Sequence, residues 1–209
     1  MKKTKFKAFT LIELLVTIVI IGVLGSISVS TYNNYITNAK ITKDVAELSQ
    51  QISKLKLKRM EYQIGTITAQ EVMEADLDVV AKAIYIGREK EKSTLINITG
   101  HTCSDCVCRD ENFISPLSAN AQTCVTRWDE IMAVLKSSTD IDISFLETDP
   151  WGSPYLVDEN EGEFPDNYCR KDTLFSAGPD RLHEASGEDA IGDGYSIRLD
   201  YYDSAQCGN

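Results

Sequence analysis

The chain has few residues that break regular secondary structure: five prolines and twelve glycines in 209 positions. This scarcity excludes collagen-like and low-complexity classes of protein. Histidine is also scarce, since only His101 and His183 occur, and neither lies in an H-E-x-x-H or nucleophile context. Ser176 stands in S-A-G rather than in the G-x-S-x-G turn of serine hydrolases. We therefore expect a protein that is not an enzyme.

Positive charge is nearly missing from the carboxy-terminal third. Residues 140–209 hold 17 Asp and Glu against 4 Lys and Arg, in a chain of net charge −11. Such a surface repels phosphate backbones, so we expect this acidic region to bind no nucleic acid. The sequence leaves two interpretations of these acids open, a solvated surface and a cation site.

Ionisable residues are almost absent from Phe9 to Val29, where Glu13 is the single exception. A helix of about 21 residues rises about 30 Å, the thickness of a bilayer core. Residues 1–8 hold four lysines and no acid, which places them on the cytoplasmic side. The sequence predicts a transmembrane segment over 9–31 and export of the chain from about Tyr32.

Glu13 is discordant in this segment, because a carboxylate in an apolar helix needs either a partner or a place at the membrane interface. The stretch K-A-F-T-L-I-E-L-L-V, Lys7 to Val16, closely resembles the processing site of type IV prepilins and pseudopilins. The resemblance implies a leader, residues 1–8, that prepilin peptidase cuts between Ala8 and Phe9 before Phe9 is N-methylated. Glu13 would then pair with the amine of Phe9 in a neighbouring subunit. Ala8 departs from the family, which usually has glycine before the cut.

The same resemblance implies the partners and the location of the chain. Before assembly it would be a single-pass protein of the inner (cytoplasmic) membrane, with a cytoplasmic amino terminus and lipid around its helix. An inner-membrane assembly platform would then add it to a helical filament of identical or related pilin subunits. The head would be periplasmic or extracellular.

Hydrophobic periodicity extends the apolar segment into a long stalk helix from Phe9 to about Gln63. Apolar residues recur at mostly three- and four-residue steps and form one amphipathic face over 32–64. These residues are Ile41, Val45, Leu48, Ile52, Leu55 and Tyr62. Two helices, broken near Gly22 and Gly25 or near Asn33-Asn34, are the alternative.

A globular head is expected over 65–209, with helices first and strands last. Thr68 and Glu71 form a capping box for a short helix, and a further helix is predicted from Asn120 to Lys136. The core face of that helix is predicted to be Cys124, Trp128, Ile131, Met132 and Leu135. Short alternating runs predict strands of an antiparallel sheet at Tyr155–Val157, Thr173–Ser176 and Tyr195–Tyr201. The fold class is α+β, the order expected of a pilin head.

Six cysteines are many for a cytosolic chain, and an exported location favours disulfides. A zinc site at His101, Cys103, Cys106 and Cys108, with Cys124 nearby, is the less favoured alternative. Analogy with pilins whose last loop is closed by a disulfide implies a Cys169–Cys207 bridge. The other four cysteines would then pair among themselves.

The segments T-D-P-W-G-S-P-Y (148–155), F-S-A-G-P-D (175–180) and G-E-D-A-I-G-D-G (187–194) resemble, in that order, the carboxy-terminal region of major pseudopilins of type II secretion systems. In that family a loop after S-x-G-x-D holds a structural calcium ion, whose 6–8 oxygen ligands mix carboxylates and carbonyls. Carried over by position, the ligands would be the Ala177 carbonyl and the side chains of Asp180, Glu188, Asp189 and Asp193. A solvated acidic loop is the alternative.

The sequence as a whole predicts a structural subunit, pilin or pseudopilin, of a type IV pilus-like filament that polymerises through its amino-terminal helix. A pseudopilus piston in type II protein secretion is one alternative. A membrane-anchored extracellular binding module that never polymerises is an alternative from another class.

Overall fold

A computed structural model of the chain describes residues 10–108, 122–182, 196–202 and 204–207, without the side chains of 26–30, 204 and 205. The chain divides into two compact units. Unit 1 is Met1–Lys43 and unit 2 is Asp44–Asn209.

A single helix, α1 (Leu11–Gln63), passes through the boundary between the units. The predicted stalk helix is therefore confirmed over its described part, whereas Phe9 lies outside it. The alternative of two helices is wrong, because Gly22, Gly25 and Asn33-Asn34 all lie inside α1. Among the residues that the structure describes, no helix combines the length and the apolar content needed to cross a membrane.

In the described part of unit 2, four helices, three short strands and three 3₁₀ turns follow α1. The helices are α2 (Ala69–Glu91), α3 (Leu95–Thr99), α4 (Gln122–Thr139) and α5 (Ser204–Cys207). The strands are β1 (Leu156–Asp158), β2 (Thr173–Phe175) and β3 (Ser196–Arg198). The 3₁₀ turns are Asp105–Cys108, Ser144–Leu146 and Pro165–Asn167.

The strands form one antiparallel sheet in the order β1-β2-β3. Leu156 pairs with Phe175 across the first ladder, and Leu174 pairs with Ile197 across the second. All three strands lie inside or within one residue of the predicted runs. With α1 to α4 before the sheet, the α+β class is confirmed.

The core of unit 2 lies between α1, α2 and α4. Leu48, Ile52 and Leu55 of the predicted face of α1 are buried, and Ile41, Val45 and Tyr62 are half-buried. The five predicted core residues of α4 are all buried, and its Trp128 ring packs 5.5 Å from the Tyr155 ring. The α4 helix begins within the described residues at Gln122 and ends three residues later than predicted, at Thr139.

The expectation of a short helix after Thr68 is wrong in length. The capping box of Thr68 and Glu71 is present, but α2 continues for 23 residues until Lys92 takes a left-handed conformation. The reason is a long apolar face that packs against α4 and α3. Its buried members include Val72, Met73, Leu77, Val80, Ala83, Ile84 and Ile86.

Candidate functional site

The first candidate site is the amino-terminal turn of α1. Glu13 Oε2 accepts hydrogen bonds from the Thr10 backbone N–H at 2.9 Å and from Thr10 Oγ1 at 2.7 Å. The Glu13 N–H in turn lies 3.3 Å from Thr10 Oγ1. This reciprocal pair is a capping box, a signal that the sequence T-L-I-E carries and that sequence reasoning missed here. Glu13 therefore has a local partner, and its side chain is exposed.

The predicted cleavage and methylation residues, Ala8 and Phe9, lie outside the described residues. The helix that follows them exposes large apolar side chains on every side. Leu11, Ile12, Leu14, Leu15, Ile18, Val19, Ile21 and Leu24 are all at least half exposed. A helix surface of this kind calls for an apolar environment, either lipid or other helices.

In unit 2, Arg59 of α1 joins α2 and the loop before β1 through the buried carboxylate of Asp76. Its Nε and Nη2 donate to Asp76 Oδ1 and Oδ2 at 3.0 and 2.6 Å. Arg59 also donates to the Phe145 and Thr148 carbonyls at 3.2 and 2.9 Å. The Tyr155 hydroxyl donates to Asp76 Oδ2 at 2.6 Å. Burial raises the pKa of Asp76, and the bonds to Arg59 and Tyr155 oppose that rise.

A second buried node joins α2 to the segments that flank β2 and β3. Arg88 Nη1 lies 3.2 Å from Asp172 Oδ2 and 3.4 Å from Glu161 Oε2, and Arg88 Nη2 donates to the Asp200 carbonyl at 2.6 Å. Asp172 Oδ1 also accepts from the backbone N–H groups of Asn160 and Glu161. Burial raises the pKa of Asp172 to about 6 despite these bonds.

Asp149 links the T-D-P-W-G segment to the S-A-G segment, and it is a residue that sequence reasoning missed. Its Oδ1 accepts from the backbone N–H groups of Trp151 at 3.0 Å and Ser153 at 2.9 Å. Its Oδ2 accepts from Ser176 Oγ at 2.5 Å. Burial raises the pKa of Asp149, and the hydrogen bonds from Ser176 and from the backbone of Trp151, Gly152 and Ser153 oppose that rise. An aspartate before Pro-x-Gly is a recognisable turn signal, but only the fold brings Ser176 to it.

The predicted calcium ligands are only partly described. Ala177 is buried directly after β2, and Asp180 is exposed on the turn that follows, where its Oδ1 accepts from the Leu182 N–H at 3.0 Å. Glu188, Asp189 and Asp193 lie outside the described residues. An exposed carboxylate with one locally bonded oxygen is compatible with cation binding through the other.

The six cysteines form three disulfides: Cys103–Cys106, Cys108–Cys124 and Cys169–Cys207. The expected bridge from Cys169 to Cys207 is present, and the other four cysteines pair among themselves. The alternative zinc site needs thiolates from Cys103, Cys106 and Cys108, all of which are consumed in these bonds. His101 instead lies 3.1 Å from Glu130 and 2.7 Å from Arg127.

Comparison with known proteins finds similarity at the amino terminus. Residues 3–29 match the prokaryotic N-terminal methylation motif. The type IV major fimbrial protein FimA of Dichelobacter nodosus is 40% identical over 48 residues, 23% of this chain and 31% of the relative. Fimbrial protein Q of Moraxella bovis is 46% identical over 43 residues, 21% of this chain and 27% of the relative.

A fimbrial protein of Pseudomonas aeruginosa is 42% identical over 43 residues, 21% of this chain and 28% of the relative. The chain thus spans less than a third of the length of the curated relatives it matches. No solved structure matches the chain. Over its amino-terminal segment, the resemblance inferred from Lys7 to Val16 is confirmed, and the chain carries the prokaryotic N-terminal methylation motif.

Proposed function

We propose that this chain is a structural subunit of a type IV pilus-like filament and polymerises through α1. The observation that carries the proposal is the methylation motif at residues 3–29, which runs directly into one uninterrupted helix, Leu11–Gln63. The similarity to fimbrial proteins over 48 and 43 residues supports it. The work of such a subunit is mechanical and not enzymatic.

In this proposal prepilin peptidase removes residues 1–8, and the new amino terminus on Phe9 is methylated. Before assembly the apolar stretch of α1 lies in the inner membrane. An assembly platform then transfers the subunit to a filament of identical or related subunits, where the same apolar surface packs on neighbouring helices. The mass of the mature protein tests the first step, since a chain that begins at methylated Phe9 supports it and one that begins at Met1 contradicts it.

Glu13 selects the position of each subunit by pairing with the Phe9 amine of a neighbour, where apolar packing alone has no preferred register. The hydrogen bonds from Thr10 both use Oε2, so Oε1 remains able to accept from that amine. The glutamate thus has a local role as a helix cap and an intermolecular role as a charge, and the two roles separate by mutation.

Glu13→Gln keeps a side chain that can cap the helix but removes the charge, whereas Thr10→Ala removes the cap partner and keeps the charge. We expect Glu13→Gln to lose filaments, counted by electron microscopy at equal expression, and Thr10→Ala to keep them. Equal assembly of Glu13→Gln and the unmodified chain would favour a membrane-anchored binding module that does not polymerise.

The second candidate function, a pseudopilus subunit in type II secretion, is favoured by the D-P-W-G and S-A-G-P-D segments, which Asp149 ties together through Ser176. On this proposal Ala177, Asp180, Glu188, Asp189 and Asp193 hold a structural calcium ion. Calcium should then raise the melting temperature and a chelator should reverse the rise. Asp180→Asn should remove the effect, whereas Asp166→Asn, at an exposed carboxylate on another turn, should keep it. A calcium effect equal in Asp180→Asn and the unmodified chain contradicts the assignment of that ligand.

A further inference from the structure

The 3₁₀ turn Asp105–Cys108 and the residues before it bring two sulfurs and a carboxylate together. The ligand atoms of Cys103, Asp105 and Cys106 all lie within 4.8 Å of one another, and Asp105 Oδ1 is 3.0 Å from Cys103 Sγ. Thiolates with one carboxylate suit a zinc ion, which binds sulfur and oxygen in tetrahedral sites. In the oxidised chain the two sulfurs are bonded to each other, so neither is a ligand.

The three disulfides differ in how readily a reductant can open them. Cys108 and Cys124 are buried in an apolar cluster with Leu156 and Ala177. Cys106 by contrast is exposed. The Cys103–Cys106 bond also joins residues only 3 apart, against 16 and 38 for the other two bridges. A short loop constrains the unfolded chain least, so opening this bond destabilises the fold least.

The cluster is held in place by contacts that do not involve the Cys103–Cys106 bond. The backbone N–H and Oγ of Ser104 donate to the two carboxylate oxygens of buried Glu159 at 2.7 and 2.6 Å. On the other side, Cys108 is tied to Cys124 of α4. Reduction therefore leaves both new thiols next to the Asp105 carboxylate, on a segment that Ser104 and Cys108 hold in place. Such preorganisation favours binding of a metal ion.

We propose that Cys103, Asp105 and Cys106 form a redox-gated zinc site, closed in the oxidised chain and opened by a dithiol reductant. A reductant thiolate attacks the exposed Cys106 Sγ, the bond between the cysteines breaks, and its electron pair goes to Cys103 Sγ, which takes up a proton. The second reductant thiol then displaces Cys106, giving two protein thiols and an oxidised reductant. Attack at Cys103 is disfavoured, because the Asp105 carboxylate lies against that sulfur.

Zinc then replaces the two thiol protons, and the Asp105 carboxylate supplies the third ligand, which leaves the fourth position for water. The metal also neutralises a thiolate that would otherwise face the Asp105 charge at close range. The site is independent of filament assembly, so its test does not depend on the proposed function.

The test treats the full-length chain with a limited amount of a water-soluble phosphine, which gives two electrons to the disulfide and becomes phosphine oxide, with its oxygen and the two thiol protons supplied by water. Alkylation and peptide mass mapping identify the opened bridge, and a competing chromophoric chelator reports zinc affinity. We expect Cys103–Cys106 to open first and one zinc to bind per reduced chain, with no binding to the oxidised chain. Cobalt in place of zinc should give a sulfur-to-metal charge-transfer band.

Zinc binding by variants distinguishes the metal ligands from residues that do not bind the metal. Cys103→Ser with Cys106→Ser should abolish binding after the same treatment, and Asp105→Asn should weaken it by about tenfold or more. Asp166→Asn, at an exposed carboxylate elsewhere in unit 2, is the matched control and should bind as the unmodified chain does. Circular dichroism of each variant verifies folding. Earlier opening of another bridge, binding by the oxidised chain, or full affinity in Asp105→Asn would each overturn the proposal.

Discussion

Two stretches of the same helix have opposite relations to their surroundings. In residues 11–25 of α1, the apolar stretch, hydrophobic side chains point in every direction and remain exposed, as for Leu14 at 59%. In residues 44–63, the striped stretch, one hydrophobic face is buried within unit 2, as for Leu55 at 2%, while Leu57 and Met60 outside that face stay exposed. A helix with one apolar face packs against one complementary surface. A helix that is apolar on every side requires only an apolar environment. This difference is the reason why the proposed function assigns the choice of subunit position to Glu13.

The first substitution that tests this difference removes Arg59, the charged residue that continues the buried face of the striped stretch. Arg59→Ala leaves Asp76 buried without its cation, so we expect the free energy of unfolding of unit 2 to fall by about 3 kcal/mol. Urea denaturation followed by the fluorescence of Trp128 and Trp151 measures the loss. Replacing Arg59 and Asp76 together by Met should cost less than the single change. A larger loss in the double variant would show that the ion pair itself stabilises the fold.

Matched leucines test the same contrast through packing. Leu55→Ala creates a cavity and should lower the free energy of unfolding by about 2–5 kcal/mol. Leu14→Ala removes the same atoms from an exposed position, so it should leave the unfolding of unit 2 unchanged and reduce filament yield instead. Denaturation curves and filament counts on both variants check the pair. Equal destabilisation by the two substitutions would contradict the contrast.

The response to pH should come from unit 2. The pKa of Asp172 is raised to about 6 from an ordinary value of 3.8, so the folded state holds more protons than the unfolded state between these values. Stability from this group therefore rises as pH falls from about 7 to about 4, by up to about 3 kcal/mol if the shift is fully expressed. Melting temperatures across this range measure the slope, which Asp172→Asn should flatten. An unchanged slope in that variant would assign it to other buried carboxyls such as Asp149 and Glu159.

The smallest expected effect is the loss of one helix cap, and it is tested by comparing the two capping boxes. Thr68→Ala should destabilise unit 2 by about 1 kcal/mol, because α2 begins at that cap and packs against the core. Thr10→Ala should not change the unfolding of unit 2, since its cap lies at the far end of the apolar stretch. Thermal unfolding of both variants provides the measurement, and a loss in Thr10→Ala would show that the apolar stretch supports unit 2.

Sequence patterns correctly predicted those elements whose hydrophobic residues recur with the period of one type of secondary structure. The face of α1 through Leu48, Ile52 and Leu55, the core face of α4 and the three strands were found in this way. The length of α2 was missed because its capping box marks only the beginning of a helix. Its length depends on packing against α4, which begins 31 residues after α2 ends, as well as against α3.

The buried charges were missed for a different reason. Arg59 continues the apolar face of α1 one turn beyond Leu55, yet an arginine at that position reads as a polar surface residue until Asp76 is placed beside it. Asp149, Glu159 and Asp172 belong to a stretch whose strong negative charge suggested a solvated surface. Each is instead buried and bonded to backbone or hydroxyl donors.

The sequence by itself determined the amino-terminal motif, the buried face of α1 and the position of the long helices before the strands, because each depends on neighbours within a few turns of the chain. Only the tertiary structure decided which acids are buried and how Cys103, Cys106, Cys108 and Cys124 pair. Those outcomes depend on contacts between residues up to 112 positions apart in the chain, as for Arg88 and Asp200. The packed core is what brings such residues close together.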